Sequence, residues 1–226
     1  MMCRLAAAMA LVGTCALAAE GETPPQPAIE VIPQPKNVSV GQGVFRVDRF
    51  CIVLVSERAT RGTRRAARVV QLGLRKRFGM DVPIVRIAQQ RRHGVTRPIW
   101  VVEPRLERPP AKTIGVRGLT FDDAMKPGGY FLRVDAIETV VHGADDAGSL
   151  HGARTFLQLI EPATSATLLR KATPPTVPCL WLQDWPSQRV RAVPSPFEPN
   201  RDASIGATES EQLIELGAHY KLNALP

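Results

Sequence analysis

The sequence predicts an α+β fold: short strands interrupted by two helices, then the opening of a βα-repeating unit. Three observations carry that reading. Between Ile29 and Pro178, short β-type runs alternate with two segments of helical periodicity. The 20 prolines and 17 glycines among 226 residues cut the chain into short elements, which excludes a bundle of long helices. Beyond residue 178 the composition shifts, and the order becomes strand, helix, strand start.

Taken in order, Val38–Val40 and Val44–Val47 flank Gly41-Gln42-Gly43 and predict a hairpin, with glycine supplying positive φ. Cys51–Val55 is a continuous apolar run and predicts a buried strand. Over residues 62–78, Ala66, Val69, Val70, Gly73, Leu74 and Phe78 form one helical stripe, with arginines on the other faces and Gly79 as the stop. Val82–Ala88 and Ile99–Val102 predict two more strands, Pro83 confining the first to an edge or entry position. Tyr130–Val134 and Thr139–His142 straddle Asp135-Ala136-Ile137-Glu138 and predict a second hairpin. Asp145 or Asp146 then caps a helix with Leu150, Ala153, Leu157 and Ile160 in its stripe, ended by Pro162. Gly148 and Gly152, four apart, share one face of that helix and let it approach a sheet closely.

Residues 162–178 read as a linker rich in Ala, Thr and Pro. A short strand is expected at 189–193. The capping box Thr208-Glu209-Ser210-Glu211 opens a helix carrying Leu213, Ile214, Gly217 and Tyr220.

The amino terminus reads as an export signal. Residues 1–19 carry Arg4, an apolar stretch from Leu5 to Leu17 and an A-x-A box at Ala16-Leu17-Ala18, followed by a Pro-rich leader at 20–28. That stretch is shorter than the ~20 residues a bilayer span needs, so no membrane span is expected and the chain is assigned to the periplasm or the extracellular space. A lipobox at Val12-Gly13-Thr14-Cys15 has Thr where a small residue belongs. Cys51 and Cys179 remain after cleavage, either as a disulfide or as two buried free thiols. With no CxxC or HExxH and four scattered histidines, neither a metal nor a cofactor is expected.

The hydrophobic fraction of 44% and charged fraction of 22% are those of a globular protein and exclude a wholly disordered chain. The net charge of +8 concentrates in Arg58–Arg77 and Arg86–Arg97. Aromatic residues do not interleave with these arginines, and no nucleic-acid motif is present, so no nucleic-acid partner is expected. A solvated basic face remains, suited to loose attraction to anionic polymers.

Several segments resemble a known family. Ile32-Pro33-Gln34-Pro35-Lys36, then Gly129-Tyr130-Phe131-Leu132-Arg133-Val134, then His151 to Leu159 are similar to the N-terminal domain of the β-N-acetylhexosaminidases of glycoside hydrolase family 20. Asp184-Trp185-Pro186 and Tyr220-Lys221-Leu222-Asn223 resemble the entry into the family's catalytic barrel. The resemblance implies a mainly antiparallel sheet with two helices packed on one face over residues 29–178. It implies a non-catalytic domain there, and over 179–226 an incomplete start of a (β/α)8 barrel.

The resemblance also implies the parent chemistry, release of N-acetylhexosamine from glycans by substrate-assisted retaining hydrolysis. There the substrate's acetamide attacks the anomeric carbon, an Asp orients it and a Glu protonates the leaving oxygen. That pair belongs inside a barrel of ~250 residues, whereas Asp184 to Pro226 is a short run, so the chain is expected to stop before it and to hold no catalytic residue. Its partner would be a glycan met through the missing barrel, with the oligomeric state left open.

Arg191 matches the sugar-binding arginine of the family's DxPRFxxRG segment, although Ser187-Gln188 and Ala192 depart from the pattern. Asp122-Asp123 and Asp145-Asp146 read as turn and cap residues. Two other readings stay open: an exported carbohydrate-binding or accessory module, and the corresponding domain of another glycosidase family such as family 84.

Overall fold

The computed structural model describes residues 29, 31–94, 96–102, 121, 125, 127–160, 174–188, 217 and 221. Among these, seven strands form one sheet: β1 Asn37–Arg46, β2 Cys51–Val55, β3 Ile84–Arg86, β4 Arg97–Val102, β5 Tyr130–Val134, β6 Thr139–Gly143 and β7 Thr176–Asp184. Two α-helices, α1 Arg61–Phe78 and α2 Asp146–Leu159, accompany them, with a 3-10 helix at Ile87–His93. The spatial order is β1-β7-β5-β6-β4-β2-β3. The α+β class is observed, and the sheet is mixed. Its β1, β7, β5, β6 side is antiparallel, and its β6, β4, β2, β3 side is parallel.

Both helices are crossovers on the same face. α1 joins the parallel neighbours β2 and β3, and α2 joins β6 to β7, which run parallel with β5 between them. Thr60 caps α1, its Oγ1 accepting from Thr63 N at 3.0 Å, and Gly79 ends it in the left-handed region at φ 66°. The buried stripe Thr63, Ala66, Ala67, Val70 and Leu74 packs on Val53, Val55, Ile99 and Val101. Each fully buried Val or Leu there contributes roughly 1.5–3 kcal/mol. Alternate strand residues Ile52, Leu54, Val85, Trp100, Val102 and Val140 form a second cluster on the opposite face.

The structure differs from the sequence expectation in three places. Val38–Val47 is not a hairpin; it lies within and just beyond β1, which pairs with β7 on both sides of a register shift between Val40 and Val44. The glycines serve a bulge, Gly43 having φ 95°, and a Cβ at Gly41 would stand 3.5 Å from the Cys179 carbonyl oxygen. The strand expected at Val82–Ala88 contracts to Ile84–Arg86, because Pro83 has no N–H for the ladder and the chain turns into the 3-10 helix at Ile87.

The linker expected at 162–178 gives way to β7 from Thr176 onward, so the boundary drawn at 178/179 falls inside a strand paired on both sides. Cys51 and Cys179 are buried free thiols and form no disulfide. The strand at 189–193 and the capping box at 208–211 lie outside the described residues, as do residues 1–28 and Asp122-Asp123; of the helix expected after that box, Gly217 is described and helical. No helix among the described residues is long and apolar enough to cross a membrane.

Candidate functional site

Segments far apart in sequence meet around α2 and the β5–β7 pair. At one end of α2 the Gln158 side chain grips the backbone of Ile32, accepting from its N at 3.2 Å and donating to its O at 3.0 Å. The Lys36 ammonium lies 4.8 Å from the centroid of the Trp185 ring. At the other end, Asp145 caps α2. Its Oδ1 accepts from Gly148 N at 2.7 Å and its Oδ2 from Gly128 N at 2.9 Å. The buried His151 ring contacts the Gly128 carbonyl through Nδ1 at 3.0 Å. Gly148 and Gly152 allow this closeness. A Cβ at Gly148 would overlap the Gly129 carbonyl oxygen, and one at Gly152 would press Val141 at 2.8 Å.

A buried polar cluster sits at the centre. Tyr130, which opens β5, donates its phenolic hydrogen to Asp184 Oδ2 at 3.1 Å, and Asp184 closes β7 on the neighbouring strand. With its hydrogen committed, the phenol oxygen accepts from Lys221 Nζ at 2.8 Å and from Thr155 Oγ1 at 2.7 Å. Lys221 Nζ also reaches Asp184 Oδ2 at 3.4 Å. The Lys221 side chain is 1% exposed, so this cation is taken from water and balanced by the carboxylate and the phenol. Burial first, and the Asp184 charge next, hold the Tyr130 phenol well above its ordinary range, so it stays neutral.

This arrangement binds elements together. The four groups engage one another, and all four residues are buried. Of the two aspartates expected at the cap, Asp145 caps α2, whereas Asp146 is its first helical residue and accepts from Thr60 Oγ1 at 2.7 Å, tying α2 to the start of α1. Arg191, the sequence's sugar-binding candidate, lies outside the described residues. No group of three His, Cys, Asp or Glu able to hold a metal occurs among the described residues.

In the sequence, Tyr130, Asp184 and Lys221 belong to separate motifs, and nothing there joins them. Asp184 and Lys221 stand 54 and 91 positions from Tyr130, and no local period connects them. No local signal marks Lys221 as buried, since a lysine after a helical stripe is ordinarily solvated.

The family model described as glycosyl hydrolase family 20, domain 2, matches residues 28–185. No curated protein sequence matches the chain. Among solved structures, CpGH84B superposes with a TM-score of 0.62 at 20% identity, over 88% of this chain and 29% of that one. The family 20 β-N-acetylhexosaminidase of Streptomyces coelicolor A3(2) gives 0.60 at 23% identity, over 86% of this chain and 33% of that one. The exo-β-N-acetylglucosaminidase of Vibrio harveyi, solved in complex with N-acetylglucosamine, gives 0.57 at 17% identity, over 88% and 26%. At such identities the likeness establishes the fold. The chain spans about a third or less of the length of these solved chains.

Proposed function

Because the chain belongs to glycoside hydrolase family 20 through that family's domain 2, we propose that its sheet and two helices are the non-catalytic scaffold of a β-N-acetylhexosaminidase. Such an enzyme releases terminal N-acetylhexosamine from glycans, the substrate's acetamide acting as nucleophile. The observation that carries the reading is how three acidic groups of the matched unit, gathered around α2 and the end of β7, are engaged. Asp145 caps a helix, Asp146 holds α1, and Asp184 balances the buried Lys221, leaving none of the three free for acid catalysis.

The role of this unit is to anchor the chain beyond β7. Lys221 lies 37 positions beyond Asp184 and returns to it, so the chain at Lys221 is tied to the end of β7. Arg191, seven residues past Asp184, is the residue assigned to sugar hydroxyls, a task for which the fixed fork of a guanidinium is suited. A second reading, a scaffold before a family 84 catalytic region, is favoured by the likeness to CpGH84B. The match of residues 28–185 to the family 20 domain weighs against it.

The test uses the chain purified from the periplasmic or extracellular fraction, where the leader at residues 1–19 would send it. It is offered a chromogenic N-acetyl-β-glucosaminide, and the expected result is no hydrolysis above buffer. Steady turnover abolished by a single carboxylate substitution would overturn the scaffold reading. Recovery only from the cytoplasm, with residues 1–19 intact, would overturn export.

A further inference from the structure

We propose that the outer face of α1 is a docking surface for a linear anionic polysaccharide. This rests on reading the protein as one that works on glycans, and it assigns a contact that the scaffold role does not require. α1 contains six arginines, one lysine and no acidic residue. At 100° per residue, Arg61, Arg64, Arg65, Arg68, Arg75 and Lys76 fall within a sector of roughly 120°, opposite the buried stripe. All six are exposed. With a rise of ~1.5 Å per residue they make a row of about 22 Å. Arg77 is apart from them, donating from both ends of its guanidinium to the carbonyls of Leu157 and Ile160.

The face is unfavourable to the helix that bears it. Arg61 with Arg65, and Arg64 with Arg68, are like charges at i,i+4 spacing, and three of these cations crowd the helix N-terminus, where the macrodipole is already positive. Among the described residues no ion pair engages Arg61, Arg64, Arg65, Arg68 or Arg75. The groove beside the N-terminal end, lined by Arg61, Gly62, Arg65, Asp146, Ala147 and Leu150, holds one carboxylate, and Asp146 already accepts from Thr60. On α2 the half-buried Arg154 has its cationic form disfavoured, by burial first and by Arg65 next. The imbalance is thus felt beyond α1 itself.

Arginine in place of lysine suits sulfate, phosphate or carboxylate groups, which its fork engages through two hydrogen bonds. A narrow row matches a polymer strand better than a bilayer. The apolar side of α1 is in the core and cannot insert, leaving Leu72 as the one apolar side chain exposed in the row. Against nucleic acid, α1 lies flush beside α2 and does not project into a groove.

The experiment measures binding of the full chain to heparin, as a sulfated probe, across a salt series. Arg64→Gln/Arg68→Gln/Arg75→Gln is compared with Arg86→Gln/Arg91→Gln/Arg92→Gln, which removes equal charge from β3 and the 3-10 helix that follows it. The expected result is at least a tenfold loss of affinity for the α1 triple and less than threefold for the control. The salt slope should fall by roughly one per arginine removed from α1. The α1 triple is expected to keep its helical circular dichroism, with a melting temperature equal to or above the parent's. Equal losses in the two triples would overturn the proposal, as would no binding at low salt. Tighter binding to phosphatidylglycerol vesicles or to duplex DNA than to heparin would also overturn it. Because hydrolysis is not read in this assay, its failure is distinct from failure of the hexosaminidase reading.

Discussion

The parallel and antiparallel sides of the sheet are held in different ways. β2, β3 and β4 come from one stretch of chain and close under α1 through Val53, Val55, Ile99 and Val101 against Ala66, Val70 and Leu74. Apolar packing dominates there. On the other side, β1, β5 and β7 come from residues 37–46, 130–134 and 176–184, and their helix-facing surface mixes Leu132, Leu180 and Leu182 with Tyr130 and Asp184. The lesson is about dependence. Burial tolerates the loss of one partner by small increments, whereas a buried cation and its acceptors stand or fall together.

The largest effect should therefore come from breaking the Tyr130–Asp184–Lys221 cluster. Asp184→Asn or Lys221→Met is expected to cost about 3–5 kcal/mol in urea denaturation, because either leaves a buried group without its counterpart. The double variant should cost less than the sum. The same change at Asp48, whose carboxylate lies 3.3 Å from the part-exposed Arg97 at the start of β4, should cost under about 1 kcal/mol. Equal costs at Asp184 and Asp48 would erase the contrast.

Alkaline pH sharpens it from the parallel side. Burial raises the Cys51 thiol from its ordinary value near 9 to about 11. Below pH 9 both folded and unfolded chains keep the proton, and the contribution to stability is complete. Between pH 9 and 11 the unfolded chain ionises first, so stability should fall by about 1.4 kcal/mol per pH unit, or roughly 2–3 kcal/mol in all. A pH series on Cys51→Ala should lack this part of the decline. An unchanged slope would mean that the thiol meets water in the folded state.

What could be read from the sequence follows the same division. Strand Cys51–Val55, the helix ending at Gly79 and the Asp145 cap were legible because each is written in neighbouring residues: an apolar run, a period of 3.6, a capping carboxylate. The pairing of β1 with β7 was not. Gly41 and Gly43 satisfy a hairpin turn and a bulge equally well, and the choice is made by a strand more than 130 positions away. The start of β7 was hidden by the prolines around it, Pro178 being admitted where β1 shifts register. The buried state of Lys221 had no local sign, since a lysine's ordinary place is at the surface.

The smallest effect separates the two sides at the scale of one methyl group. Gly73 and Gly148 both lie in helices, and both would gain about 1 kcal/mol of intrinsic helix propensity on becoming alanine. What the new methyl meets decides the outcome. At Gly73 it would meet the end of the Leu157 side chain, which is half-buried between the helices and can change rotamer. The net change should stay within about 1 kcal/mol of zero. At Gly148 it would meet the Gly129 carbonyl, where the backbone is fixed by Gly129 N donating to Met125 O and Ala144 N donating to Gly129 O, both at 2.8 Å. Backbone pinned from two directions cannot retreat, so Gly148→Ala should cost about 1–3 kcal/mol despite the gain in propensity. Paired urea titrations read both. Were Gly73→Ala to cost as much as Gly148→Ala, the contact between the helices would be as rigid as the contact between α2 and the turn, and pliancy could no longer be assigned to the apolar layer.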